Sequence, residues 1–417
     1  MAQKLIFHVD VNSAFLSWTA AYRVQALSDP LDLRTVPSVI CGNRDVRHGI
    51  VLAKSVPAKA YGIRTGEPLF LAKQKCPNLI VAQPDYGLYV EASRKFVSYL
   101  KTVAPVVEQY SIDEAWADLS GTERLYGDPV ALAHRMKDTI FETLGFTVNI
   151  GVSSNKLLAK MAGDLEKPNK VHTLFPEELP QKLWPLPVRD LFLVGRATEK
   201  KLHQMGIDTI GQLAACDLDF LREKLQKQGE IIWQFANGYN TESVLPFQAD
   251  NKGYSNSTTL PFDITDRPSA QQVLLSLCET VGMRLRKDGL RGSCIAVQLR
   301  TDRFVDSCHQ IQMDAATNVT EELYHMACVA FSQAWRGQPL RQIGVQVTRV
   351  GRQPYRQFSL FHEKDYDRLE KMDLAVDALR NKYGEDSILR ARFLKGELPH
   401  MAGGLAKERR TGVTKTV

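Results

Sequence analysis

Nothing in the 417 residues approaches the roughly 18 uninterrupted apolar residues of a membrane span, and the opening Met1-Ala2-Gln3-Lys4-Leu5-Ile6-Phe7-His8 reaches Asp10 too soon to hold a signal peptide's apolar stretch. A cytoplasmic protein with no membrane partner is the expectation. Cysteine is sparse: Cys41, Cys76, Cys216, Cys278, Cys294, Cys308 and Cys328 include no pair at metal-finger spacing and no disulfide framework, which excludes a small stapled scaffold. They read as reduced, mostly buried thiols. No internal repeat and no low-complexity tract is present, so the fold must come from distinct domains. Charge of one sign is scarce too. The net +6 decides nothing, and its largest share falls in 351–417, with 14 Lys and Arg against 10 Asp and Glu. A polyanionic partner would therefore have to meet basic side chains gathered on one surface.

What is present is ordinary globular material, 44% hydrophobic and 24% charged, enough for two to four domains at about 100 to 200 residues each. The apolar run Leu5-Ile6-Phe7-His8-Val9 reads as a buried strand ending at Asp10, with a helix starting near Asn12. Further strands are expected over 106–111, running into Ile112-Asp113-Glu114, and over 147–152, with an amphipathic helix over 129–144 between them. The segment 191–236 is helical in pattern, with Gly195, Gly206 and Gly211 marking turns. Beyond a linker in the polar stretch near 237–251, helical periodicity over 269–287 and 317–335 and alternation over 293–300, 306–313 and 342–350 predict a second α+β module, two helices on an antiparallel sheet. A charged helix-like run follows at 364–382.

Asp10 at the end of one strand and the adjacent Asp113 and Glu114 near the end of another form the first chemical constellation. Three carboxylates meeting at a sheet rim repel one another and are tolerated mainly where divalent cations neutralise them. Adjacent strand residues point to opposite faces, so Asp113 and Glu114 can share a site only at a hairpin tip or bulge. Taken singly, each acid reads first as a helix cap or turn residue, and spacing alone does not overturn that.

Phe7-His8-Val9-Asp10-Val11-Asn12-Ser13-Ala14-Phe15 and Tyr110-Ser111-Ile112-Asp113-Glu114-Ala115-Trp116-Ala117-Asp118 closely resemble the two metal-binding motifs of the Y-family, or translesion, DNA polymerases. Ile150-Gly151-Val152-Ser153-Ser154-Asn155-Lys156-Leu157-Leu158-Ala159-Lys160-Met161-Ala162, followed by Glu166-Lys167-Pro168-Asn169, is similar to the family's palm signature. The resemblance implies an α+β, multi-domain right hand: palm at 1–20 and 78–167, fingers at 21–77, helical thumb with a helix-hairpin-helix at 168–237, linker at 238–252, little finger at 253–351, and a tail at 352–417.

By that resemblance Asp10 and Asp113 ligate two Mg²⁺ ions, Glu114 completes the catalytic site, and the Val11 carbonyl contacts the nucleotide-side metal. The implied reaction is template-directed nucleotidyl transfer from a deoxynucleoside triphosphate to a primer terminus, at low fidelity and past damaged template bases. Phe15 would be a steric gate against a 2′-hydroxyl, and Lys59 and Lys167 would hold the triphosphate. A Tyr and a hydroxyl residue usual in the fingers are replaced by Val56 and Ala53, which predicts a weaker hold on nucleotide. Gly195 would open the thumb hairpin onto a DNA phosphate, with Arg300 and Arg303 flanking a little-finger hairpin beside primer-template DNA. Gln357-Phe358-Ser359-Leu360-Phe361 resembles a sliding-clamp docking peptide, with Gln357, Leu360 and Phe361 as its anchors. A monomer is implied. The rival from another class is a catalytically inert, polymerase-like accessory protein that binds DNA and the clamp; a nucleotide cyclase on a palm-like domain is a weaker one.

Overall fold

The computed structural model describes residues 4–42, 49–246, 251–352, 366–384, 387–393 and 400. They fall into two compact units, the first holding the elements from the N-terminus through the helix Lys227–Ala236, the second those from Gly253 onward. No helix among the described residues is long and apolar enough to cross a membrane. None of the seven cysteines is in a disulfide, and four of them are buried.

The first unit is organised on strand β1 (Ile6–Val11), whose six residues are all buried. The small sheet that follows contributes β2 (Ser38–Cys41), β3 (Val51–Lys54) and β4 (Ile80–Ala82). The main sheet is completed by β5 (Val106–Gln109), β6 (Glu114–Asp118), β7 (Val148–Ser153) and β8 (Val171–Thr173), in the order β5-β6-β1-β7-β8. Side chains alternate along a strand, so Phe7, Val9 and Val11 enter one core with Phe96, Leu100, Met136 and Ile140, while His8 and Asp10 take the opposite face. Those core partners come from the helices Tyr86–Val103 and Pro129–Leu144. The second starts where the Asp128 carboxylate accepts the Ala131 amide at 2.7 Å and ends at Gly145, whose φ of 79° a side chain would resist. This is the 129–144 helix the sequence predicts.

On the other face, the helix Lys156–Asp164 lies so close to β7 that a Cβ on Gly151 would come within 1.9 Å of the Ala159 carbonyl oxygen. Only glycine allows that approach, and the approach brings Lys160 and the Lys167 segment beside β1. The small sheet, ordered β3-β2-β4, closes over its own apolar centre of Val39, Val51, Ile63, Ala72 and Leu79. The run expected to be helical contains the helices Arg196–Gln204, Ile210–Ala214, Leu218–Leu225 and Lys227–Ala236 around Leu202, Leu213, Leu221 and Ile232. Gly195 and Gly206 stand at turns, but Gly211 sits inside a helix, where a Cβ would meet Trp184 at 2.9 Å. Its smallness serves close packing rather than a turn.

The second unit is a sheet of β9 (Gly253–Ile264), β10 (Arg291–Thr301), β11 (Asp306–Thr317) and β12 (Leu340–Gly351), ordered β11-β10-β12-β9. The helices Arg267–Lys287 and Thr320–Ala334 cover one face through Leu274, Leu277, Val281, Ala327 and Phe331. The tail helix, Tyr366–Tyr383, is attached by charge: buried Arg286 contacts Asp377 at 2.7 Å and Asp373 at 3.2 Å, while buried Glu279 faces Arg390 at 2.8 Å and Arg380 at 3.4 Å. Arg286→Ala would take away the cation of buried Asp377 and leave buried Asp373 with Arg390 at 3.5 Å and the Thr320 amide at 2.8 Å. We expect it to cost about 3 to 5 kcal/mol, seen as a lower urea midpoint for the second unit's unfolding, and an unchanged midpoint would show that the tail helix is held by other contacts.

Candidate active site

Asp10 is the last but one residue of β1, and the register sets Glu114 of β6 and Asn149 of β7 directly opposite it. Residues 110–113 form the tip between β5 and β6, and the Val11 amide donates to the Asp113 carbonyl at 3.0 Å, tying that tip to β1. Ser111 Oγ donates to Asp113 Oδ1 at 2.6 Å and fixes the carboxylate. The chain then turns through Ser13, held in the left-handed region at φ 49°, into the helix Ala14–Ala26. That turn puts Phe15 beside the acids. Asp10, Val11, Phe15 and Asp113 line one cavity of about 310 Å³, whose other wall comes from the small sheet through Leu52, Ala53 and Lys54, with Thr65 beyond it.

Glu114 lies differently. It faces Asp10 across the sheet, yet its carboxylate is engaged by His8 Nε2 at 3.1 Å and by Lys160, and it does not line the cavity. Burial works to raise its pKa, but His8 and Lys160 outweigh that and bring it down to about 2. Burial keeps the His8 ring neutral despite the Glu114 contact, so Nε2 carries the hydrogen it donates to the ionised carboxylate. Asp10 moves the other way. Burial, with Glu114 and Asp113 adding repulsion, pushes its carboxyl up to about 6 against the pull of Lys167. Lys167 contacts Asp10 and sits 2.8 Å from Asp164; burial opposes its charge, but the two carboxylates hold its ammonium above the usual range. Asn12 Nδ2 donates to Asn149 Oδ1 at 3.0 Å and Asn12 Oδ1 accepts the Asn169 amide at 2.9 Å, which fastens the Lys167 segment to β1.

The Phe15 ring is stacked on Tyr89 at 4.4 Å and 5°, with Tyr86 edge-on at 5.9 Å. The buried Tyr89 hydroxyl shares a 3.0 Å hydrogen bond with Thr19, so the stack is anchored in the core.

The other expected residues are spread out. Lys59 is exposed on the short helix Val56–Ala60 and does not line the cavity. Gly195 precedes the helix Arg196–Gln204, with open space where a side chain would go. Arg300 on β10 makes a two-pronged contact with Asp306 at 2.6 and 2.9 Å, and Arg303 lies in the turn before β11. Gln357, Leu360 and Phe361 lie outside the described residues. Sequence reading missed His8 and Lys160 as partners of Glu114 and missed Lys54 altogether. The signal for Lys54 was the alternation Val51-Leu52-Ala53-Lys54, buried and half-buried in turn.

The first unit thus sets a central strand bearing Asp10 against a small sheet carrying Lys54, and a separate C-terminal α+β unit follows in the chain. A solved Y-family DNA polymerase chimera superposes with a TM-score of 0.70 at 21% identity, covering 83% of this chain and 99% of that one. Residues 9–164 match the impB/mucB/samB family, 176–207 the IMS family HHH motif, and 251–360 the impB/mucB/samB family C-terminal domain. DNA polymerase IV of Clostridium acetobutylicum is 43% identical over 94% of this chain and 99% of its own length. DNA polymerase IV of Acetivibrio thermocellus is 35% identical over 94% and 98%, and DNA polymerase IV 2 of Bacillus subtilis 33% over 94% and 95%. The chain belongs to the impB/mucB/samB family of Y-family DNA polymerases and is a DNA-directed DNA polymerase, with DNA and nucleotides as its substrates.

Such polymerases generally use divalent metal ions. The donors facing the cavity fit one: two carboxylates, all oxygen, with Asp10 raised chiefly by burial, a cost that a bound cation would offset. Among the described residues no three His, Cys, Asp or Glu side chains are clustered as a ready-made metal site, Glu114 being engaged by His8 and Lys160.

Proposed function

We propose that this polymerase carries out low-fidelity translesion synthesis by two-metal nucleotidyl transfer. The observation that carries the reading is the shared cavity of Asp10, Asp113 and Phe15 under the small sheet. Asp10, Asp113, Glu114 and the Val11 carbonyl would hold two Mg²⁺, which when bound lower the pKa of the primer hydroxyl and offset charge on the phosphates. Phe15 presents its ring to the sugar of the incoming nucleotide and leaves no room for a 2′-hydroxyl. Lys167, which contacts Asp10, would pass from carboxylate to triphosphate, and Lys59 would reach it from the helix Val56–Ala60. Ala53 and Thr65 are small side chains on the far wall of the cavity and press little on a base pair there, which supports tolerance of distorted templates.

In the same reading the main sheet is the palm, the small sheet the fingers, the helices from Arg196 the thumb and the second unit the little finger. Gly195 meets a DNA phosphate through backbone amides, and Arg300 and Arg303 meet the duplex backbone. Gln357, Leu360 and Phe361 dock on the sliding clamp, and the enzyme is a cytoplasmic monomer. Primer extension on intact and abasic templates, with Mg²⁺ and with chelator, tests the core of this. Incorporation past the lesion that stops on chelation is expected; DNA binding without incorporation would favour the inert accessory protein.

A further inference from the structure

The cavity has two walls of opposite sign. Asp10 and Asp113 form one, and Lys54, the last residue of β3, projects from the other. Lys54 pairs with Val39 at the edge of the small sheet and shares its strand face with Leu52, the two half-buried positions of an alternating strand. Among the described residues its ammonium has no ion pair or hydrogen bond. Glu67, the acid whose charge reaches it, is paired through Oε2 with Lys75 at 2.6 Å. Burial and the cations Lys59, Arg64 and Lys75 instead hold the Lys54 ammonium below its usual range, with Glu67 alone opposing them. A half-buried cation crowded by like charge and facing a cavity is the counterpart of the crowded carboxylates opposite. Each wall lacks what the other has. A ligand satisfying both carries an anionic tail toward Lys54 and brings cations toward the acids.

The fingers also lack the Tyr and hydroxyl that resemblance leads one to expect, Val56 and Ala53 standing in those places. Val56 is a hydrocarbon side chain, 58% exposed and outside the cavity lining, so it supplies no hydrogen bond there. We infer that Lys54 grips the triphosphate of the incoming nucleotide, supplying by charge the hold that Ala53 and Val56 cannot supply by hydrogen bonding. This rests on the polymerase reading above and adds to it a specificity-determining residue. It also revises the weak hold on nucleotide that Val56 and Ala53 predict.

Single-nucleotide incorporation into a primer-template tests it. Lys54→Ala is expected to raise KM for all four deoxynucleoside triphosphates about tenfold, the loss of one charge-assisted contact, with kcat within about threefold of the parent. The same factor should appear in equilibrium binding of nucleotide to the enzyme on a dideoxy-terminated primer, while affinity for primer-template stays put. Lys54→Arg, which keeps the charge, should stay within about threefold of the parent. If Lys54 serves only as a partner for Glu67, Lys54→Ala will lower Tm and leave KM and nucleotide binding unchanged, which overturns the inference. An increase confined to one base would also overturn it, placing the ammonium on a base edge. A parent enzyme that binds nucleotide but extends no primer would instead sink the polymerase mechanism and leave the Lys54 contact standing.

Discussion

Asp10→Asn should lower kcat for incorporation by about 1,000-fold or more and, in chelator, make the protein more heat-stable at pH 7.5 than the parent. The two effects share one cause. Burial raises the Asp10 carboxyl from 3.8 to about 6, so between those values the folded chain keeps a proton that the unfolded chain has lost. Stability therefore falls as pH rises through that window and stays lower above it. Asparagine has no charge to desolvate, and Lys167 keeps Asp164 at 2.8 Å as a partner. The expected gain is roughly 3 to 6 °C in Tm at pH 7.5 and about half that at pH 5. A lower Tm for Asp10→Asn at pH 7.5 would mean that the Lys167 pair outweighs the burial of the carboxylate.

Phe15→Val should cut discrimination against ribonucleotides by about 100-fold, measured as the ratio of kcat/KM for deoxy- over ribonucleoside triphosphate. The reason is rigidity as much as bulk. Stacked on Tyr89 at 4.4 Å and bounded by Tyr86, the ring cannot swing aside, and Tyr89 is itself pinned by Thr19. A close-packed wall of this kind offers no relaxation to an extra hydroxyl. Unchanged discrimination in Phe15→Val would remove the ring from the gate.

Where a segment's burial is local and periodic, the sequence carried it. The run ending at Asp10 is continuous because β1 is covered on both faces, and 129–144 has both an Asp cap and a terminal glycine. The expected helix at 364–382 exists as Tyr366–Tyr383, but the buried ion pairs that dock it were invisible, because each charge looks solvated until its partner is placed. Strand β9 was missed since Gly253-Tyr254-Ser255-Asn256-Ser257-Thr258-Thr259 is mostly polar; only its pairing with β12 makes it a strand. At the site, the spacing of Asp10 and Asp113 was legible through motif resemblance. The diversion of Glu114 toward His8 and Lys160 was not, because it depends on strand register and on how closely Gly151 lets a helix approach.

The β2–β3–β4 sheet is entered from the helix Ala14–Ala26 and left into the helix Tyr86–Val103, and it buries an apolar centre of its own. Mutations in that centre need not propagate into the strands that bear the acids, although Ile40, Ala53 and Ala82 on the other face pack on Leu16 and Ala20 of the helix Ala14–Ala26. A lineage can thus retune its appetite for nucleotide, exchanging aromatic and hydroxyl side chains for a single ammonium, while the chemistry next door is inherited untouched.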